Sequence, residues 1–292
     1  MITFSHLGQL GRLGNQMFQY AALKSIGLEK GLPVKIPDPS GLKWHGQECQ
    51  LVHFNLECDH LTPEDMSNIK YQFQEPHHAA FFPEAFSVPP NTDLFGYFQN
   101  YQYFAPHENQ IRKEFTLNDE IRVGADRYIK KLRDVDNKTA EIVSVHMRRG
   151  DNTDGENPES INFYGNGDTL TKESDFGSYF YRALEHFEGG DYKFLVFSGG
   201  SRKKGNQSDI EWCKSNFNGE NIYYCEGNSD IVDFEIMRQC DHNITCHMTS
   251  FGWWAAFLNE TPEKIVIAPK NYSVPDDGRQ EHGFYPPSWR VI

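Results

Sequence analysis

The sequence predicts an α/β protein built on two parallel-sheet domains. Three observations carry this. In the second half, short apolar runs alternate with helical segments of roughly ten residues, the pattern of a doubly wound sheet. The N-terminal segment reads as strand, glycine loop, helix and strand, one βαβ unit. With 292 residues the chain suffices for two medium domains or one large one, and at that size roughly three quarters of the unfolded surface is buried without covalent staples.

Taken in order, residues 2–6 form the first strand, residues 7–14 a glycine-bearing loop, and residues 15–30 a helix closed by Gly31. Residues 32–36 form the next strand, and residues 37–60 are irregular. Thr62 is placed to cap a helix that has Pro63 in its first turn. A proline- and aromatic-rich loop over 75–92 precedes a strand at 94–98 and a charged helix at 121–133. The polar run Asp134–Lys138 is the expected junction, giving domains 1–138 and 139–292. The second half then reads as strand 142–147, a long polar loop to about 175, helix 176–187 and strand 192–197. A capping box at Ser208–Glu211 opens helix 209–217. Strand 221–225, helix 230–240, strand 242–246, helix 250–259 and strand 264–268 complete it.

Lysine and arginine number 28 against 41 acidic residues, a net charge of −13. That balance argues against a nucleic acid or an anionic membrane as a general partner, whereas a small phosphorylated ligand needs only a local basic pocket. The six cysteines, Cys49, Cys58, Cys213, Cys225, Cys240 and Cys246, contain no Cys-x-x-Cys pair and no zinc spacing. A reduced, cytoplasmic protein is expected. The N-terminus has no basic and apolar signal-peptide regions. No apolar run approaches the ~18 residues of a membrane span, and peripheral membrane contact stays compatible with the sequence.

The chemistry concentrates in His146-Met147-Arg148-Arg149-Gly150-Asp151. A buried strand delivers two adjacent arginines to its carboxyl end, where open α/β sheets bind ligands. Two guanidinium forks at such a place suit a pyrophosphate. His146 reads either as a contact to a ribose or base edge or as a structural residue. Asp151 reads either as a base or as a partner of Arg148 or Arg149. Gly11-Arg12-Leu13-Gly14-Asn15-Gln16 lies between the first strand and helix. It is neither a Rossmann Gly-x-Gly-x-x-Gly nor a P-loop, and serves equally as a tight turn or a ligand loop. Thr249, Ser250 and Phe251 open an apolar helix, so they offer either a phosphate seat or an ordinary N-cap. Trp253 and Trp254 are assigned to core packing.

These segments together resemble the α-1,2-fucosyltransferases, glycosyltransferase family 11. Gly11–Ala21 and His146–Asp151 match two of the family's signatures. A third runs from Asp233–Met237 through Cys240–Ile244 to Ser250–Asn259. Smaller matches are Gly96–Gln99, Glu263–Lys270 and Trp289. The resemblance implies a two-domain GT-B fold, two Rossmann-like domains with the donor site in the cleft and mainly on the C-terminal domain. It also implies a metal-independent, inverting transfer of L-fucose from GDP-β-L-fucose to a galactose hydroxyl of a glycan, with no cofactor beyond the donor. By the same resemblance Arg148 binds the donor's β-phosphate and His146 the nucleoside, and Asn15, with Gly14 and Gln16, approaches the phosphates from the other domain. Arg149, Ser198, Asp209, Thr249, Ser250 and Phe251 complete the expected donor set. Asp151 is the first candidate for the general base, with Glu173 and Asp175 as others.

Three departures stand out. Residues 199–207 look like an insertion between Phe197-Ser198 and Ser208-Asp209-Ile210-Glu211-Trp212-Cys213, beside the expected donor site. Cys246-His247-Met248-Thr249 replaces a more usual Ala-Asn-Ser-Ser, and the loop 152–175 is long. The acceptor and the oligomeric state stay open. So do two alternatives: a GT-B transferase using another nucleotide sugar or linkage, and a non-catalytic protein that binds sugar nucleotides or glycans.

Overall fold

A computed structural model of the chain describes residues 1–135, 140–150, 175–200, 206–270 and 283–292. They belong to two compact units, Met1–Asn118 with Gly278–Pro287, and Asp119–Asp277 with Ser288–Ile292. Each unit is built on its own parallel sheet, as expected for two Rossmann-like domains.

In the first unit the strands are β1 (Ile2–Thr3), β2 (Val34–Ile36), β3 (Asp59–His60), β4 (Tyr71–Gln74) and β5 (Thr92–Phe95), in the order β3-β2-β1-β5-β4. Helix α1 (Leu13–Lys30) follows β1 and is buried along nearly its whole length, so the apolar residues of its first turns become core on every side. Gly31 ends it in the left-handed conformation. A short antiparallel ribbon pairs Lys43–Trp44 with Gln47–Glu48 within the stretch read as irregular. Helix α2 (Pro63–Ser67) starts at Thr62 as read, and Asp65 completes the reciprocal capping box. Helix α3 (Glu108–Glu114) lies just before the end of the unit's main segment.

The second unit begins with α4 (Asp119–Asp134). The sequence reading assigns this helix to the first domain, with the junction after it; the compact unit instead includes it. Ile129 and Leu132 are buried, Arg133 Nη2 donates to both carboxylate oxygens of Asp241 at 2.8 Å, and the buried Lys193 ammonium donates to the carbonyls of Leu132, Arg133 and Val135. Those bonds hold the helix's C-terminal turn to the second sheet.

That sheet comprises β6 (Glu141–Met147), β7 (Tyr192–Ser198), β8 (Ile222–Tyr224), β9 (His242–Ile244), β10 (Val266–Ala268) and β11 (Arg290–Val291), ordered β8-β7-β6-β9-β10-β11. The interleaved helices are α5 (Asp175–Glu185), α6 (Asn206–Asn216), α7 (Asp230–Gln239) and α8 (Ser250–Leu258). Strand β6 pairs along its whole length with β7, Glu141 opposite Tyr192 and Met147 opposite Ser198. On its other side Val143–Val145 pair with His242–Ile244. From β6 the chain winds outward through β7 and β8, then returns to β9 on the opposite flank. The crevice between the carboxyl ends of β6 and β9 is therefore the topological switch point.

Six of the seven β6 residues are buried, as a central strand covered on both faces requires. Val143, Val145 and Met147 pack with Phe176, Phe180, Val196, Ile244 and Ile267 on one side of the sheet. Trp253 and Trp254 are core residues, as assigned.

The strands stop earlier than the periodicity suggests. Strand β9 ends at Ile244 rather than at residue 246, and β5 ends at Phe95 before Gly96. In both places the chain leaves the sheet into the loop that follows. Helix α6 starts at Asn206, so Ser208 lies inside its first turn rather than opening a helix at residue 209.

Candidate active site

The switch point of the second unit is lined by the residues that follow β6 and β9. Arg148 is the first residue beyond β6. Its backbone N–H donates to Cys246 Sγ at 3.4 Å, which ties the two strand ends together. Its guanidinium donates to the Gly199 carbonyl at 3.1 Å, and the side chain stays part-exposed. Burial pushes the Cys246 thiol up to about 12, so it remains a protonated, uncharged acceptor.

Arg149 is set differently. It is buried, and its guanidinium lies 3.5 Å from the centre of the Trp212 ring. Its Nε is 4.0 Å from Asp209 Oδ1, and Asp209 is buried as well. The other carboxylate oxygen of Asp209 accepts the Gly150 N–H at 3.2 Å. Asp209 and Trp212 stand three apart on α6 and so share a face; together they hold the loop after β6 from one side. This explains why Ser208-Asp209 does not open the helix: the Asp209 carboxylate faces the arginine loop. Ser198 Oγ donates to the Met147 carbonyl at 2.7 Å and fixes the end of β6 to β7.

His146 points to the opposite face of β6. It is buried, its Nδ1 lies 3.5 Å from Thr249 Oγ1, and its ring centre is 5.8 Å from that of Phe251. Burial, with the Arg148 charge second, pulls its pKa down to about 3, so the imidazole is neutral at physiological pH. Thr249 is the N-cap residue of α8, but its side chain makes no capping bond, and the first turn holds no acid. The positive end of α8 therefore has no side-chain counter-charge of its own. Met248, just before it, has φ +51°, a costly backbone setting for an unbranched residue. Phe251 is part-buried and packs edge-on against Phe234, ring centres 5.3 Å apart, and Ser250 is also part-buried.

Sequence reasoning did not single out Gly252. A methyl group there would sit 2.3 Å from His146 Nδ1, so this glycine lets α8 close over the histidine. Trp212 was also passed over, although its place three residues after Asp209 was a readable signal.

In the first unit, Gly14 and Gln16 are buried and Asn15 is part-exposed. Gln16 donates to the Gly11 carbonyl at 2.9 Å and accepts from the Cys49 thiol at 3.3 Å. Asn15 Oδ1 accepts from Gln99 Nε2 at 2.7 Å. The structure thus brings His146, Arg148, Arg149, Ser198, Asp209, Thr249, Ser250 and Phe251 together at one strand-end crevice, and Gly14, Asn15 and Gln16 at a loop of the first unit. Asp151 and Glu173 lie outside the described residues; Asp175 begins α5, and its side chain lies outside them too. Among the described residues no group of three or more His, Cys, Asp or Glu side chains is arranged to hold a metal ion, and no helix is long and apolar enough to cross a membrane.

Two Rossmann-like units, one with an arginine-bearing switch point, define a GT-B-type architecture. The chain belongs to glycosyltransferase family 11, whose model matches residues 5–292. It is 29% identical to an alpha-1,2-colitosyltransferase of Escherichia coli, covering 89% of each chain. It is 26% identical to galactoside alpha-(1,2)-fucosyltransferase 2 of Oryctolagus cuniculus, covering 92% of this chain and 70% of the relative. Among solved structures it is similar in fold to POFUT1 in complex with GDP, with a TM-score of 0.50, 12% identity, and coverage of 90% of this chain and 95% of that one.

Proposed function

We propose that this protein transfers L-fucose from GDP-β-L-fucose to the 2-hydroxyl of a galactose in a glycan. The transfer proceeds with inversion, in a single displacement that needs no metal. The observation that carries this reading is the division of labour between the two arginines. Arg149 is buried against Trp212 and Asp209, while Arg148 stays part-exposed at the switch point. In such a transfer the sugar becomes oxocarbenium-like and negative charge develops on the leaving diphosphate. Preorganised donors aimed at that charge lower the barrier. Arg148 supplies a permanent fork of such donors, and the N-terminus of α8, where Thr249 makes no side-chain capping bond, presents the positive end of the helix. His146, held neutral, offers a hydrogen bond without repelling Arg148. Asp151 is assigned as the base that takes the proton of the acceptor hydroxyl, with Glu173 and Asp175 next.

The test is direct. The purified protein is incubated with GDP-fucose and a panel of β-galactosides, and GDP release and product linkage are followed. A 2-linked fucosyl galactoside is expected, and GDP release that no galactoside stimulates overturns the reading. Arg148→Ala is expected to lose at least roughly 3 kcal/mol of transition-state stabilisation, on the order of a hundredfold in turnover. Near-parental turnover removes Arg148 from its role. The colitosyltransferase relative favours a second reading, transfer of colitose to the same hydroxyl. Faster turnover with GDP-colitose than with GDP-fucose selects it.

A further inference from the structure

We propose that Glu75 is a positioning residue for Asn15, acting through the turn Gly96–Gln99; this rests on the donor contact that the family resemblance implies for Asn15. Glu75 directly follows β4, beside the end of β5. One of its oxygens, Oε2, accepts the backbone N–H of Tyr97 at 2.7 Å and that of Phe98 at 3.0 Å. Those two bonds hold a turn that the chain would not adopt unaided. Phe98 has φ +52°, a left-handed setting that costs a non-glycine residue of order 1 kcal/mol or more. Gly96 has φ +149°, and a methyl group on it would meet Glu75 Cβ at 2.4 Å. The carboxyl therefore sits directly on the turn backbone, at a distance that glycine alone permits.

The turn ends in Gln99, whose side chain is buried and donates to Asn15 Oδ1 at 2.7 Å. With its oxygen occupied as an acceptor, the Asn15 amide is set in one of its two orientations, its nitrogen toward Gly11. A second tie runs in parallel. Gln19 Nε2 donates to the Gly96 carbonyl at 3.0 Å and to the Leu10 carbonyl at 3.1 Å, so the turn and the glycine loop are held by one amide. Glu75, the turn, Gln99 and Asn15 thus form a continuous hydrogen-bonded relay within the first unit.

The geometry separates this role from acid–base catalysis. Glu75 is buried, Oε2 is taken by two backbone donors, and Oε1 is shielded from solvent with no hydrogen-bond partner. No face of the carboxyl is open to a sugar hydroxyl. Burial also pushes its pKa up to about 7, so near neutrality the protonated carboxylic acid, which glutamine mimics, is a substantial form of the group.

The test compares Glu75→Gln, Glu75→Ala, Gln99→Met and Asn15→Ala in the full-length protein. GDP affinity is measured by calorimetry, KM for GDP-fucose and for the acceptor by GDP release, and Tm by thermal melting. Glutamine can accept the same two N–H bonds, so Glu75→Gln is expected to stay within about twofold of the parent in GDP affinity. Glu75→Ala and Gln99→Met are each expected to weaken GDP binding and raise the donor KM by about tenfold, with the acceptor KM unchanged, as for loss of one ordering hydrogen bond. Adding Glu75→Ala to Asn15→Ala is expected to weaken donor binding no further. Should Glu75→Ala not fold, Gln99→Met breaks the last link alone. Parental GDP affinity in Gln99→Met when Asn15→Ala is impaired overturns the relay, as does a fully additive double variant. An inactive but folded Glu75→Gln overturns it in favour of a base. Parental GDP affinity in Asn15→Ala instead overturns the donor role of Asn15 itself, on which the relay rests.

Discussion

Replacing Gly252 by alanine tests whether helix α8 and His146 form one packed unit. In an exposed helix interior this change adds about 1 kcal/mol of stability, because alanine is the better helix former. Here the added carbon would lie 2.3 Å from His146 Nδ1, 3.1 Å from Cγ and 3.3 Å from Cβ. That is about 1 Å short of ordinary van der Waals contact. The ring has little room to retreat. It is buried between Thr249 and Phe251, and its backbone pairs with Phe197 in the sheet. Overpacking of this kind costs about 1–3 kcal/mol, which cancels and outweighs the helix gain. A net loss of about 1 kcal/mol is expected, lowering the melting midpoint by roughly 2–4 °C. GDP binding should weaken with it, since the imidazole is displaced from its place beside α8. The assay is thermal melting and calorimetry on the parent, Gly252→Ala, His146→Ala and the double variant. In the His146→Ala background the ring is gone, so adding Gly252→Ala should stabilise by about 1 kcal/mol, a reversal of sign. A Gly252→Ala protein as stable as the parent, with parental GDP affinity, would refute the packing argument.

Two further outcomes follow from buried polar side chains. Asp209→Asn removes the carboxylate from the buried Arg149, and a loss of about 3 kcal/mol is expected by denaturant unfolding, the low end for breaking a buried pair because Trp212 still covers the guanidinium; an unchanged midpoint removes Asp209 as the anchor. His146 titrates near 3 when folded against an ordinary value of 6.5. The unfolded chain therefore binds the extra proton first as pH falls. Its contribution is complete above about pH 6.5 and is lost toward pH 3, at up to about 1.4 kcal/mol per pH unit. His146→Gln should flatten the stability–pH slope between pH 6 and 4 by that amount, and an unaltered slope contradicts a buried neutral imidazole.

Much of the second unit was legible from local pattern. Val143, Val145 and Met147 announce a buried strand, and Arg148-Arg149 at its end announce a polar strand-end loop, because neither arginine suits an unpartnered core. The helix at Asp119–Asp134 was legible as a helix but not in its allegiance. Its place in the second unit depends on Lys193 and Asp241, each more than fifty residues away. The relay from Glu75 to Asn15 was invisible for the same reason. Its links join residues 75, 97–99 and 15 through strand order, and nothing in the local pattern brings β4 and β5 beside the loop after β1.

The sequence by itself determined the class of chain: alternating strands and helices, a glycine loop, an arginine strand, and the signatures of one glycosyltransferase family. These are local facts, set by periodicity, turn chemistry and residue type. Only the tertiary structure decided how each group is set. It placed Arg149 under Trp212 and beside Asp209 while Arg148 stayed part-exposed, turned Thr249 from its helix toward His146, and closed α8 onto that histidine through Gly252. Those choices depend on which strand ends become neighbours, and burial then gives otherwise similar side chains different partners, charges and accessibility.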